Sequence, residues 1–287
     1  MFNSGEKKYR EWRAEKVDKY PGAVGELMID IGGLNDVAMG ERAAILDRCR
    51  RANMAIYRCR DEAVDRAAIR AFGENFGLRR LDHHLCANED GIAELTVSAG
   101  GLQGEYVPYS NRSLSWHTDG YYNDAAEQLH AVVLHCAQDA SSGGESAVLD
   151  PDIAYIRMRD ADPAYITAFE HPECMAIPAN IGAQGEIRAA VCGPVFSYGH
   201  SSTTLHMRYS TRKKNIRWRD DAITRAARKY LSDLLDDEAS PVLRFRLRPG
   251  QGIISNNVLH NRTAFEDGSA QQRFLYRARY FDRIDSS

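Results

Sequence analysis

The sequence predicts a mainly β protein, a double-stranded β-helix (jelly roll) with flanking and inserted α-helices, and three observations carry that expectation. From Ile92 onward the chain breaks into short runs rich in β-branched and aromatic residues, separated by Gly, Ser, Asn or Pro: IAELTVS, LSWHTD, LHAVVLHC, ESAVLD, AAVCGPVFSY, TTLHMRY, VLRFRLR, GIISNNVLH and RFLYRARYF. Two stretches with helical spacing interrupt them, at about 151–169 and about 220–235, and in the second Ile223, Ala227, Tyr230, Leu231 and Leu234 form an apolar stripe. With 287 residues, 44% of them hydrophobic and 27% charged, the chain can bury a sizeable core. Strands that must shield their edges are served well by two packed sheets, an architecture that hosts many small-molecule sites.

The first third alternates helix and strand. Residues 40–51 carry Ala44, Ile45, Leu46 and Cys49 at helical spacing, MAIYRCR after Asn53 reads as a β run, and a helix over about 62–72 ends near Gly73 or Gly77. One domain is expected over 1–287, with 1–90 an α/β part packing on a jelly-roll core of 91–287. Thirty-seven Lys and Arg against 40 Asp and Glu leave a net charge of −3, and the short run Arg212, Lys213, Lys214 reads as a solvated loop, so no nucleic-acid partner is indicated. The charged segment MFNSGEKKYREWRAEKVDKY has no apolar signal core, and no run approaches the ~18 apolar residues of a membrane span, which points to the cytoplasm and to no membrane partner. Six widely spaced cysteines without C-x-x-C read as reduced packing thiols. A homo-oligomer is compatible with all of this.

The chemistry begins at SWHTDGYY. His117 and Asp119 are two apart, so on a strand both side chains leave one face and reach one metal. A lone His-x-Asp recurs by chance and is weak. It gains weight from His260 at the end of a later strand, in NNVLHNRTAF, and from Arg273 and Arg277 beyond it. Two histidines and a carboxylate on one face of a metal leave three positions open, the facial triad of non-haem Fe(II) oxygenases, and those positions suit a bidentate 2-oxo acid plus O₂. A planar, always-charged guanidinium suits the far carboxylate of 2-oxoglutarate. Arg273 and Arg277 share a strand face and are equal candidates on spacing alone.

These pieces, YSNRSLSWHTD, then LHCAQDASSGGESAVLD, then LRPGQGIISNNVLHNRTAF with RFLYRAR, resemble the TauD/TfdA group of Fe(II)/2-oxoglutarate dioxygenases, and within it the γ-butyrobetaine and trimethyllysine hydroxylases, over about Asn53 to Arg283. The resemblance implies that His117, Asp119 and His260 hold iron, that Arg277 holds the C5 carboxylate of 2-oxoglutarate, and that Ser146 assists it. The interval from His260 to Arg277 is longer than the family's usual one and requires a short insertion around Glu266–Ser269, which keeps Arg273 in the bet. Tyr109 matches one aromatic of the trimethylammonium cage in the γ-butyrobetaine enzymes, but the other cage positions fall in IAELTVS, so that substrate is not implied. Asp119 stands where halogenating relatives have a small residue, which favours hydroxylation.

Tyr109, Asn111, Tyr121, Tyr122, Arg208 and Tyr209 are expected near the mouth as contacts to a small polar substrate, although strand aromatics commonly serve packing. His83, His84 and Cys86 match no closed zinc spacing. His171-Pro172-Glu173 is set aside because Pro breaks strand pairing. Two readings compete with the oxygenase: a non-catalytic jelly-roll binder of metal or small molecules, and a Zn-dependent hydrolase built on the same triad. The Arg277–Ser146 receptor discriminates, since neither alternative needs it.

Overall fold

The computed structural model describes residues 5–60, 64–83, 88–98, 100, 104, 106–182, 185–199, 204–212, 214–269 and 271–284. The chain forms two compact units interleaved in sequence: one of 1–19, 116–128 and 149–242, the other of 20–115, 129–148 and 243–287.

The second unit is built on a six-stranded sheet in the order β1 (Met28–Ile31), β2 (Met54–Cys59), β16 (Gln251–Ser255), β5 (Ala131–Gln138), β19 (Phe274–Tyr280), β3 (Ile92–Leu95). Only β1 and β2 pair in parallel, and helix α2 (Met39–Ala52) makes their crossover. In its first turn Glu41 accepts from the amides of Gly32 (2.9 Å) and Ala38 (3.0 Å), and Asn53, at φ 54°, closes its C-terminus. Helix α3 (Arg66–Glu74) is capped by Asp65, which accepts from the Ala68 amide at 2.8 Å.

Strand period two divides the sheet. Ala55, Tyr57, Val133, Ile254, Tyr276 and Ala278 face one layer, shared with Ile45, Leu46, Ile69 and Phe72 of the helices. Met54, Ile56, Ala93, Cys136, Ile253 and Leu275 face the other, shared with Tyr109, Val148, Leu243 and Val258. Because both faces are covered, these strands read as continuous apolar runs rather than alternating ones. A four-stranded sheet supplies the jelly roll's other half, in the order β15 (Leu243–Phe245), β7 (Ser146–Leu149), β17 (Leu259–Arg262), β4 (Leu114–His117). A short ladder pairs β6 (Ser142–Gly143) with β18 (Phe265–Glu266).

The first unit holds α1 (Glu6–Lys19), α4 (Pro151–Ala161), α5 (Pro163–Phe169) and α6 (Ala222–Asp236). It also holds a three-stranded sheet β11 (Val191–Gly193), β8 (Met175–Ile177), β14 (Arg217–Trp218), a hairpin β9 (Asn180–Gly182) and β10 (Gly185–Arg188), and the pair β12 (Phe196–Tyr198) with β13 (Leu205–Met207). The helical stretch expected at 151–169 is two helices. Asp162 is extended there and its carboxylate accepts from the Ala164 amide at 2.9 Å, while Pro163 supplies no N–H, so one helix stops and the next starts. Helix α1 buries Lys16, whose ammonium lies 2.7 Å from Asp150 and 2.8 Å from Asp152 at the start of α4. Burial pulls that ammonium's pKa down, but the two carboxylates outweigh it and hold it above its ordinary value. No helix among the described residues is long and apolar enough to cross a membrane.

One close approach in the large sheet depends on a glycine. Gly252 lies opposite both Tyr57 and His135, and a Cβ there would sit 2.3 Å from the Tyr57 ring and 2.6 Å from the Leu134 carbonyl oxygen. The Tyr57 hydroxyl uses that space to reach His135 Nδ1 at 3.2 Å. Gly252→Ala is therefore expected to destabilise the fold by about 1–3 kcal/mol or more through overpacking, read as a lowered urea midpoint.

Candidate metal centre and anion cavity

His117 ends β4, the edge strand beside β17, and His260 lies within β17. Among the described residues, His117, Asp119 and His260 form the group that could hold a metal ion, with ligand atoms all within 4.8 Å of one another. His117 and Asp119 are buried, and His260 is half-buried. His260 Nδ1 lies 2.9 Å from the Val258 carbonyl, which can only accept, so Nδ1 carries the proton and the Nε2 lone pair stays available for a metal.

The segment that carries His117 and Asp119 is also fixed from its other side. The Thr118 amide donates to the Tyr209 carbonyl (3.0 Å), the Tyr209 amide donates to Thr118 Oγ1 (3.1 Å), and the Thr211 amide donates to the Trp116 carbonyl (2.9 Å). His117 bridges Ser210 in the same ladder. Directly after Asp119 the chain turns at Gly120, φ 65°, a conformation glycine adopts without a Cβ clash, and the Asn123 amide closes the turn on the Gly120 carbonyl at 2.8 Å. The Tyr121 ring stands edge-on to His117, with centroids 6.4 Å apart.

A small cavity in the second unit is lined by Ser146, Gly143, Gly144, Cys136, Arg246 and Arg273, with Asp139 and Leu275 beside them. Its shape rests on the β6–β18 ladder. Gly143 has φ 67°, and a Cβ there would lie 2.2 Å from the Ala264 carbonyl oxygen. Arg273 stands just before β19, where the register against β5 shifts between Phe274 and Leu275. It is 7% exposed, and among the described residues its guanidinium makes no ion pair; it lies over the Phe265 ring at 4.9 Å. Burial lowers its pKa to about 10. The nearby carboxylate of Asp139 is already engaged by Arg246 (3.1 Å), Arg248 (3.0 Å) and Gln271 (3.0 Å). The cavity therefore carries positive charge that a buried anion would neutralise.

Spacing alone leaves two arginines open, and they sit differently with respect to the cavity: Arg273 lines it. Arg277, also buried, pairs with Ala93 and Leu134 farther along β19, and it does not line the cavity with Ser146. Arg262, two residues after His260, was not singled out from sequence. Its guanidinium also lies over the Phe265 ring, at 4.8 Å, and donates to the carbonyls of Ser110 (2.9 Å) and Arg112, and burial, then the charge of Arg273, lowers its pKa to about 9. The signal available in sequence was its place in HNRTAF, one residue beyond a ligand's neighbour on an inward-facing strand.

The expected substrate contacts separate into two groups. Tyr121 and half-buried Tyr122 stack edge-on at 5.3 Å beside His117, and Arg188 lies over the Tyr122 ring at 5.8 Å. Asn111 is exposed, and its carbonyl accepts from the Phe265 amide at 3.1 Å. Tyr109 is instead a core residue, 1% exposed. Tyr209 packs against Phe169 and Trp218, and burial raises its phenol pKa above the ordinary value. Arg208 spends its donors on backbone carbonyls. All three are buried among protein partners. His171 Nδ1 accepts from the Glu173 amide at 3.0 Å, a local turn, and His84 and Cys86 lie outside the described residues.

Comparison with known proteins gives one family and several related folds. A sequence model of the family described as "Taurine catabolism dioxygenase TauD, TfdA family" matches residues 56–279. A uridine-5'-phosphate dioxygenase from Amycolatopsis sp is 28% identical over 170 residues, which is 58% of this chain and 60% of that relative's length. Among solved structures, an asparagine oxygenase in complex with Fe(II), 2S,3S-3-hydroxyasparagine and succinate is similar at TM-score 0.56 and 14% identity, covering 96% of this chain and 91% of that one. The non-heme iron oxygenase OrfP in complex with Fe, succinate and (3R,4R)-dihydroxy-L-Arg gives TM-score 0.61 and 14% identity, covering 88% and 82%. At these identities the structural matches show the fold, which is that of the jelly-roll oxygenases.

The hydroxyl between the two ligand positions has a measurable structural share. Thr118→Val keeps the shape and removes the acceptor for the buried Tyr209 amide, so unfolding of the metal-free protein is expected to become easier by about 1–3 kcal/mol, measured by urea denaturation.

Proposed function

The chain belongs to the TauD/TfdA family of dioxygenases, and from that premise we propose an Fe(II)- and 2-oxoglutarate-dependent oxygenase that hydroxylates a small polar metabolite, consuming O₂ and releasing succinate and CO₂. In this reading His117, Asp119 and His260 hold the iron. Two imidazoles and one carboxylate with donor atoms within 4.8 Å fit a facial triad, and the proton on His260 Nδ1 leaves the correct nitrogen for it. When bound, iron with 2-oxoglutarate and O₂ supplies the oxidising power; the protein contributes binding, orientation and exclusion of water.

One observation carries the cosubstrate assignment: Arg273 is buried without an ion-pair partner among the described residues, in a cavity that Ser146 also lines. Such a guanidinium is poorly stabilised until an anion reaches it, and a carboxylate offers it two oxygens in a planar fork. This supports a reading in which Arg273 and Ser146 receive the C5 carboxylate of 2-oxoglutarate, with Arg277 as the second candidate. A zinc hydrolase or a simple binder has no use for this receptor.

The substrate is taken to be small and polar, contacted by Tyr121 and Tyr122. The printed names of the relatives support that class: a nucleoside monophosphate in one, amino acids in two others. A cytoplasmic setting completes the reading, supported by five free cysteines among the described residues, four of them buried.

His117→Ala, Asp119→Ala and His260→Ala are each expected to abolish Fe(II) binding, followed by anaerobic titration, with little change in thermal unfolding of the metal-free protein. Normal iron binding by all three would overturn the triad. Arg273→Leu should weaken 2-oxoglutarate at least about 10–100-fold, the loss of charge-assisted hydrogen bonds of roughly 1.5–3 kcal/mol, while Fe(II) affinity barely changes. Arg273→Lys should fall between, since it restores charge without the fork. If Arg277→Leu loses the cosubstrate and Arg273→Leu keeps it, the clamp belongs to Arg277; if neither loses it, the protein is not a 2-oxoglutarate enzyme.

A further inference from the structure

Arg208 is 5% exposed, and no carboxylate pairs with it among the described residues. Its guanidinium instead gathers four backbone carbonyls from three separate stretches of the first unit, two of them from the adjacent Gly193 and Pro194. Nε donates to Pro194 (3.2 Å), Nη1 to Tyr121 (3.2 Å), and Nη2 to both Gly193 (2.8 Å) and Met175. These oxygens belong to the end of β11, the turn before β12, the start of β8, and the loop that leaves Asp119. Four carbonyl oxygens aimed at one buried point repel one another, and a planar cation with fixed donors is the group that holds them together.

The same segment also runs along the ligand strand. The Thr118 and Tyr209 main chains bond to each other, Thr211 bonds to Trp116, and Arg212 Nη1 reaches the Tyr121 hydroxyl at 3.3 Å. Residues 208–212 thus grip both ends of the stretch that carries His117 and Asp119, and Arg208 grips it past the Gly120 turn, where glycine leaves the backbone least constrained.

We infer that Arg208 is a positioning residue: by fixing the Tyr121 carbonyl it holds the Gly120–Asn123 loop, and through it the Asp119 carboxylate, in a metal-ready arrangement. This rests on Asp119 being a ligand, as proposed above. Lysine keeps the charge but concentrates its donors on one nitrogen, so it cannot span the four carbonyls.

The test compares wild type, Arg208→Lys and Arg208→Met in two measurements: amide hydrogen exchange of the metal-free proteins, and Co(II) titration as a probe for the metal site. Arg208→Lys should fold, speed exchange of the Gly120–Asn123 amides and weaken Co(II), each at least about tenfold, as expected for losing one charge-assisted hydrogen bond. Amides of β5 and β16 should exchange as in wild type. If Arg208→Met does not fold, Arg208→Lys alone decides. Unchanged loop exchange, a rise shared equally by β5 and β16, or faster loop exchange with unchanged Co(II) affinity would each overturn the positioning role. A wild-type protein that takes up no Co(II) would overturn the metal reading itself, and this proposal with it; that result is distinct from tight wild-type binding that survives Arg208→Lys, which overturns the positioning role alone.

Discussion

Strand β5 is hydrogen-bonded along both edges, to β16 on one side and β19 on the other, and the second unit is registered against it. Because side chains alternate with period two, that pairing assigns faces. His135 and Val133 turn toward the helical layer, while Cys136 and Leu134 turn toward the jelly-roll interior. A slip of one residue would exchange every pair. The register opposes Gly252 to Tyr57 and His135, and its shift at Phe274 and Leu275 sets Arg273 at the edge of the cavity.

Desolvated cations recur in this chain, and each is managed differently. Lys16 is neutralised by two carboxylates. Arg208 lies among carbonyl dipoles, which satisfy donors without cancelling charge. Arg262 combines two carbonyls with an aromatic face. Arg273 has the aromatic face and an open cavity wall. Burial disfavours the charged form in every case; direct contacts offset this for the first three, whereas Arg273 has no ion pair among the described residues and only nearby charge such as that of Asp267 opposes the effect. The fourth is where a ligand's charge does the most, which is why the anion receptor is proposed there.

Much of the architecture was legible. The β runs from IAELTVS to RFLYRARYF appear as strands, and the stretch from Ile223 to Leu234 lies in α6, because these elements announce themselves by periodicity, although the helix buries Thr224, Ala227, Leu231 and Leu235 and leaves Ile223 exposed. Helix α1 was not anticipated. Its sequence has little apolar face, and it is sustained by pairs such as Lys19 with Glu15 and by the burial of Tyr9 and Lys16. The hairpin of β9 and β10, with exposed Ile181 and Ile187, was also missed, since strands this short carry too little pattern.

By itself, the sequence determined what depends on local spacing: His117 and Asp119 two apart on one segment, His260 on a later strand, and Arg273 and Arg277 on a shared face. It also carried the family, through motifs in order. What only the tertiary structure decided were adjacencies between residues distant in the chain. Ser146 shares a cavity with Arg273 and not Arg277, and Arg208 is spent on carbonyls from three places in the chain. The physical reason is that burial and hydrogen-bond partners are set by register and packing between strands more than a hundred residues apart, such as β5 and β19, and no local period encodes them.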